Sequence, residues 1–596
     1  MTEEAQQNPE QTEQKTEQTV TVEEITEGLF SESTIDAFEL NPRLISALKK
    51  MKIDKFTNIQ TESIPPIISG SDVLMRADTG SGKTLAYLLP IMHRLATDFP
   101  RDTNPIRRDM GCLAIVIAPT RELCLQIETV VQDLRSQMNF VISGSLLGGE
   151  KVQSEKKRLR KGINLLIATP GRLLYHLQNS QNLYVNNLKF LVLDEADRLL
   201  DMGFGKKVAE IIEIINQAQN KVDDNPVHQT ILVSATLPKE LHSLTEIALY
   251  KPTEVGIMQD EKFSIPQTLL QRFVTVDAKW RLVALATLLK RYMIEEPETK
   301  AIVFLSCCKS VDFHASFFSF FNFMTPEERA QKKIPQRNYK GPNPNAEENK
   351  PTIRDTHAST DNDEVGAFSQ FFNCPVFRIH GNVDQIERSK TISKFTAAKS
   401  AIMFCTDVAA RGLDIPNISV IIQYDPPVDT EDYVHRVGRT ARIGHDGISY
   451  LFLQQNELGF IDLLRDRKVQ IKPYKYEELQ RKGVAAMLGD NPNLCFAAMR
   501  KETFECVKTN DLEMAAGQAW AASIAAYTSH HKTTRSIFRA QALHLGHLAT
   551  AFGLEKTPAE IKEMLHEDRD LQESINKPTE KKEMLPAFEE RTSEFL

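Results

Sequence analysis

Three short blocks carry the residue types that handle a nucleoside triphosphate. The first is Ala77-Asp78-Thr79-Gly80-Ser81-Gly82-Lys83-Thr84. Phosphate oxygens are held best by backbone N–H groups at a helix start, where the helix dipole is positive. Gly80 and Gly82 let the backbone come close, Lys83 can neutralise the terminal phosphates, and the Thr84 hydroxyl can ligate Mg²⁺. Ala77 stands where the strict pattern has its first glycine. Alone, this block leaves kinases and other NTPases open.

The second block, Asp194-Glu195-Ala196-Asp197, directly follows the apolar run Phe190-Leu-Val-Leu193. A metal-holding acid belongs at the end of such a buried strand. Asp194 is expected to hold Mg²⁺ through water, and Glu195 to orient and deprotonate the attacking water. The third block is His435-Arg-Val-Gly-Arg-Thr-Ala-Arg442. A basic run by itself is a common surface feature. Paired with a phosphate loop in another domain, its arginines become candidates for in-cis arginine fingers, Arg439 and Arg442 ahead of Arg436. Lys83, Asp194, Glu195, Arg439 and Arg442 are thus the expected catalytic set, with ATP and Mg²⁺ bound in a cleft between two domains.

The elements that must position these blocks are legible as apolar runs. Cys112–Ala118, Leu165–Ala168, Phe190–Leu193 and Thr230–Val233 are the clearest strands of a first α/β domain over residues 29–255. Ala301–Leu305, Pro375–Ile379, Ala401–Phe404, Val420–Ile422 and Ile448–Phe452 mark a second over 268–475, joined by a linker at 256–267. Strands apolar throughout fit parallel sheets with helices on both faces. Residues 324–365 form a polar insertion rich in Pro, Asn and charge. Residues 476–575 have helical periodicity and no strands; Trp520, Ile524, Tyr527, Ile537, Leu543, Leu545 and Leu548 are expected to make one apolar face. Residues 1–28 read as a disordered acidic tail and 576–596 as a charged, loose one.

Composition narrows the class. The chain has 596 residues, 41% of them hydrophobic, and a formal net charge of −8, so any nucleic-acid-binding surface must be local. No apolar run is long enough to span a membrane, and no membrane partner is expected. The eight cysteines form no Cys-x-x-Cys pair, which favours structural thiols over zinc ligands. Cys307-Cys308 sits in an apolar, strand-like run. Glu155-Lys-Lys-Arg-Leu-Arg-Lys161 has the composition of a nuclear localisation signal, but its place in the first domain favours a basic helix.

Together with further blocks, the chain resembles the DEAD-box ATP-dependent RNA helicases over residues 30 to 475. Thr57-Asn-Ile-Gln60, Pro119-Thr-Arg-Glu-Leu123, Gly148-Gly149, Thr169-Pro-Gly-Arg172, Ser234-Ala-Thr236, His380-Gly381, Arg388 and Thr406-Asp-Val-Ala-Ala-Arg-Gly-Leu-Asp414 all stand in family order. The resemblance implies two tandem RecA-like domains and a monomer. It assigns Gln60 to adenine and Asp414 to ribose. Ser234, Thr236, Asp197 and His435 would couple the nucleotide to the RNA grip. Thr120, Arg121, Gly149, Thr169, Gly171, Arg172, Arg388 and Thr406 would line the RNA backbone. Such contacts carry no base code. Plain alignment puts Ile35 near the place of the family's adenine-stacking aromatic, with Phe38 close by.

The segments Trp520–Tyr527, Arg535–Phe538 and Leu543–Leu554 resemble a C-terminal extension of nucleolar relatives that assemble the large ribosomal subunit. That resemblance implies pre-rRNA and pre-ribosomal proteins as partners, and a location in the nucleus and nucleolus. Two other readings stand beside the helicase: an ATP-gated RNA clamp or scaffold with little unwinding, and a DNA translocase, which Gln60 and Asp197 disfavour in their family context.

Overall fold

The computed structural model describes residues 30–77, 81–100, 102–219, 228–235, 239–256, 269–325, 327, 365–407, 415, 418–440, 447–531 and 533–576. Asp78, Thr79, Gly80, Thr236, Asp414 and Arg442 lie outside them, as do residues 1–29, most of the expected linker and insertion, and the last twenty residues of the chain.

The first lobe contains β1 (Phe30–Thr34), β2 (Lys55–Thr57), β3 (Val73–Arg76), β4 (Ala114–Ile117), β5 (Ser143–Leu146), β6 (Leu165–Ala168), β7 (Phe190–Leu193), β8 (Gln229–Ser234) and β9 (Thr253–Val255). Seven of these make one sheet in the order β5-β6-β4-β7-β8-β3-β9, parallel throughout, while β1 and β2 pair antiparallel beside it. Alternate residues of a strand face opposite sides. In β4, Ala114 and Val116 enter one core while Ile115 and Ile117 enter the other. Both faces are buried, which is why these runs are apolar without alternation.

The second lobe contains β10 (Leu269–Thr275), β11 (Lys300–Phe304), β12 (Ala367–Ser369), β13 (Cys374–Ile379), β14 (Ala401–Cys405), β15 (Val420–Gln423), β16 (Gly447–Leu453) and β17 (Lys472–Pro473). Their order is β12-β13-β14-β11-β15-β16-β10-β17. The sheet is parallel except at one edge, where β12 runs antiparallel to β13. Cys307 and Cys308 are not in a strand: they open the helix Cys308–Phe320. All eight thiols are free.

Five helices follow, at Tyr476–Ala486, Pro492–Thr509, Glu513–Tyr527, Leu545–Ala551 and Pro558–Asn576. They share the second lobe's core. Phe496, Met499, Trp520 and Phe552 pack in one cluster with Phe313, Phe317 and Val303. The expected single apolar face is divided between two clusters. Trp520, Ile524, Leu545 and Leu548 belong to that large core, whereas Tyr527, Ile537 and Leu543 pack with Tyr433, Phe460 and Phe538. The division arises because the chain turns after Tyr527 and wraps a second side of the lobe. Among the described residues, no helix is long and apolar enough to cross a membrane.

Candidate active site and nucleic-acid face

In open parallel sheets, ligands sit at the carboxyl ends of the strands. Here β7, β8 and β3 are neighbours, so the residues that follow them converge. The Ala77 N–H, just past β3, donates to the Ser234 carbonyl at the end of β8 (3.0 Å). The helix Lys83–Thr97 starts after Gly82, whose φ of +86° suits a residue without Cβ. A side chain at Gly82 would also collide with the Gln60 amide. Gln60 is buried and oriented from both ends: its Oε1 accepts from the Thr57 N–H (3.0 Å) and its Nε2 donates to the Gly82 carbonyl (3.1 Å). Ile35 is core, and Phe38 is half-buried against Phe56.

Lys83 points at the acid block. Its Nζ lies 3.6 Å from Asp194 Oδ1 and 3.5 Å from Glu195 Oε1. It is buried and makes no hydrogen bond within the protein, so it fits an incoming phosphate oxygen. Burial alone would lower its pKa, but Asp194, Glu195 and Asp197 outweigh burial and raise it. Asp194 is fully buried; it accepts from the Tyr87 hydroxyl (2.9 Å) and the Glu195 N–H (2.9 Å). Tyr87 thus orients one carboxylate expected at Mg²⁺, from the same helix that carries Thr84. Oxygen ligands of this kind suit that cation.

The two neighbouring carboxyls are driven apart. Burial pushes Asp194 above the usual carboxylate range despite Lys83. Burial would raise Glu195 as well, but Lys83, Arg198 and Arg439 overcome it and hold Glu195 down at about 2. Glu195 also has φ +49°, ψ 55°. A left-handed non-glycine residue is a strained one, and here it turns the chain from β7 straight into the helix Ala196–Asp201. Asp197 and Ser234 are buried close by.

The second lobe contributes Arg439. It is buried, its Nε donates to the His435 carbonyl (3.4 Å), and its charge acts on Glu195 and Lys83. Burial lowers its pKa to about 10, which Glu195 opposes. Arg436 does something different. It grips Asp407 with two nitrogens (2.6 and 2.7 Å), donates to the Asp425 carbonyl (2.7 Å), and lies over the Phe304 ring. It therefore braces its own lobe. His435 is buried on the same helix, Thr430–Val437.

The remaining expected positions gather around two helix starts of the first lobe. Thr120 caps the helix Arg121–Arg135, its Oγ1 accepting from the Leu123 N–H (3.3 Å). Gly148 and Gly149 both have positive φ and lie against the Arg121 guanidinium, with Gly148 also against Arg172. Thr169 precedes the helix Pro170–Asn179, which carries Gly171 and Arg172. Fully buried Glu155 holds this corner together: it binds Arg172 and, at 2.9 Å, His176. Glu155 belongs to the basic helix Val152–Arg160. In the second lobe, Thr406 is buried at the end of β14.

Arg388, expected at the RNA backbone, reaches across the lobes in this structure. Its guanidinium crosses to the first lobe and meets Glu122 (2.7 Å), and it donates to the carbonyls of His380, Gly381 and Val383 (3.3 Å each). Glu122, Glu155 and Asp407 stand inside blocks that the sequence singles out, but the sequence assigns them no role there. Tyr87 and Arg198 escaped sequence reasoning, though Tyr87 lies one helical turn after Lys83.

Comparison with known proteins gives a consistent grouping. A model for DEAD/DEAH box helicases matches residues 57–244, and one for the helicase conserved C-terminal domain matches 351–444. A third, for an SPB4-like ATP-dependent rRNA helicase C-terminal extension, matches 509–560. DEAD-box ATP-dependent RNA helicase 17 of Oryza sativa subsp. japonica is 36% identical, over 91% of this chain and 93% of the relative. ATP-dependent RNA helicase DBP7 of Coccidioides immitis is 38% identical, over 89% of this chain and 71% of the relative. A Homo sapiens protein named ATP-dependent DNA helicase DDX31 is 32% identical, over 92% of this chain and 64% of the relative. Among solved structures, Mss116p bound to ssRNA and AMP-PNP matches with a TM-score of 0.65 at 26% identity, over 90% of this chain and 95% of that one.

Proposed function

Because the chain belongs to the DEAD-box ATP-dependent RNA helicase family, we propose that it couples ATP hydrolysis to local strand separation or remodelling of RNA and RNA–protein complexes in large ribosomal subunit assembly. The observation that carries the assembly half is the match of residues 509–560 to an rRNA helicase extension. The observation that carries the chemistry is the meeting of Lys83, Asp194 and Glu195 from one lobe with Arg439 from the other.

In this reading Lys83 and Arg439 stabilise charge developing on the transferred phosphoryl group, and Glu195 orients the attacking water. Phosphoryl transfer asks the protein for position and charge rather than covalent chemistry. Mg²⁺ on Thr84 and Asp194 would supply further neutralisation of the phosphates. Gln60 reads the adenine, and Asp414 and Arg442 complete the site. Ser234, Thr236, Asp197 and His435 relay nucleotide state. Thr120, Arg121, Gly149, Thr169, Gly171, Arg172 and Thr406 hold the RNA backbone at helix starts and glycine turns, where phosphates approach closely. Pre-rRNA is the proposed RNA, pre-ribosomal particles the proposed setting, and the nucleolus the proposed location.

Two relatives carry a DNA helicase name, so the polymer must be tested directly. ATP turnover is to be measured with RNA, with single-stranded DNA and with neither, for the wild type and Glu195→Gln. The expected result is turnover stimulated by RNA over DNA and lost in the variant, which should retain RNA in the presence of ATP. DNA stimulation equal to RNA would overturn the substrate assignment. RNA-stimulated turnover with no separation of a short duplex would favour the clamp.

A further inference from the structure

Arg198 follows the acid block and lies on the helix Ala196–Asp201, 1% exposed. Its Nε is 3.6 Å from Glu195 Oε2. Its backbone N–H donates to the Glu195 carbonyl and to Asp197 Oδ1, both at 3.0 Å, so its main chain is tied to both acids and its side chain faces Glu195. Nevertheless its Nη1 and Nη2 are buried without a hydrogen-bond partner, and so is Glu195 Oε2, the oxygen that its Nε approaches. Arg439 from the other lobe is near enough for the two cations to act on each other. A buried fork of donors facing an unused carboxylate oxygen is the arrangement that a bound water satisfies.

We propose that Arg198 is a positioning residue for hydrolysis: its Nη groups and Glu195 Oε2 together seat the attacking water. The inference rests on the reading of Glu195 given above. The water accepts from Arg198 and donates one O–H to Glu195, which leaves a lone pair free for the γ-phosphorus. The water oxygen forms the new bond to phosphorus. The bond to the β–γ bridging oxygen breaks, ADP keeps its electron pair, and the water's proton leaves by way of Glu195. An arginine suits this place because its fork presents several fixed donors.

The test is single-turnover ATP hydrolysis by the full chain at saturating RNA. The variants are Arg198→Met, Arg198→Lys, Glu195→Gln and the Arg198→Met/Glu195→Gln double. Fluorescent-ATP binding and thermal melting are followed in parallel. Arg198→Met should slow turnover by about ten-fold or more with KM for ATP moved less than about two-fold, and Arg198→Lys should recover part of the loss. The double variant should be no slower than Glu195→Gln, because both side chains act on one water. Wild-type turnover in folded Arg198→Met, or additive losses in the double variant, would overturn the proposal. Should Arg198→Met lose its melting transition, Arg198→Gln takes its place with the same thresholds. Undiminished turnover in Glu195→Gln would instead sink the underlying reading of Glu195, whatever Arg198 does.

Discussion

At the scale of single residues, two arginines three positions apart have opposite employment. Arg436 is consumed by its own lobe, with two nitrogens on Asp407 and a third on the Asp425 carbonyl. Arg439 donates its Nε to the His435 carbonyl of the helix just before it, and its charge reaches the acids of the other lobe. Arg436→Ala leaves Asp407 facing a vacated, largely buried site. It should destabilise the protein by about 3 kcal/mol, read as a lower denaturation midpoint. Arg439→Ala should melt close to the wild type yet lose on the order of a thousand-fold in turnover, the scale of an arginine finger. Equal melting losses in both variants would contradict this division. The sequence made the block visible but could not sort its members, because sorting depends on Asp407, just past β14, and Phe304, at the end of β11. Tyr87 and Arg198 were hidden for a related reason. A tyrosine and an arginine on helices are ordinary, and only the burial of Asp194 and Glu195 makes them site residues.

At the scale of elements, strands buried on both faces announced themselves as apolar runs, so β4, β6, β7, β11, β14 and β15 were legible to within a residue or two. β5 was not: its Ser-Gly-Ser start looks like a loop, and it is a strand because β6 offers it a parallel edge. The extension was legible as helical, but not as part of the second lobe's core. That union is clearest at His314, which is fully buried among Phe313, Phe404, Tyr424 and Phe552. Its Nδ1 is tied to the Ser310 carbonyl (2.7 Å), and Asp425 and Arg281 are the charged groups that act on it. Burial lowers its pKa from 6.5 to about 4. A base depressed in the folded state binds fewer protons there than in the unfolded chain. Stability is therefore complete above the unfolded value and falls as the pH drops from about 6.5 towards 4, by a few kcal/mol at most (about 1.4 per unit). In His314→Gln the loss of stability across that window should be visibly shallower than in the wild type. Parallel pH profiles of unfolding free energy for the two proteins would remove His314 from this role.

At the scale of the whole molecule, the question is what holds two lobes together when each has its own sheet and cores. The Glu122–Arg388 pair answers part of it. Glu122 sits in the first turn of a helix that Thr120 caps, and Arg388 is fixed on the second lobe by three carbonyls, so each partner is presented by rigid backbone. With the lobes together the two side chains are 6% and 11% exposed. With the lobes apart both would be hydrated, so the pair contributes to the closed arrangement alone. A buried partner stripped of its counter-charge is costly, whereas removing both is much less so. Bound RNA and ATP analogue should therefore close Glu122→Gln or Arg388→Gln about ten-fold less readily than the wild type. The double variant should be no worse than the poorer single one. A fluorescence pair across the lobes would read this, and added salt should change it little, because burial limits screening. If the two losses simply add, the contact is incidental, and closure depends on the nucleotide and RNA alone. Sequence placed both residues in recognisable blocks but could not pair them, since they lie in different lobes. Only the facing of two sheets makes them partners.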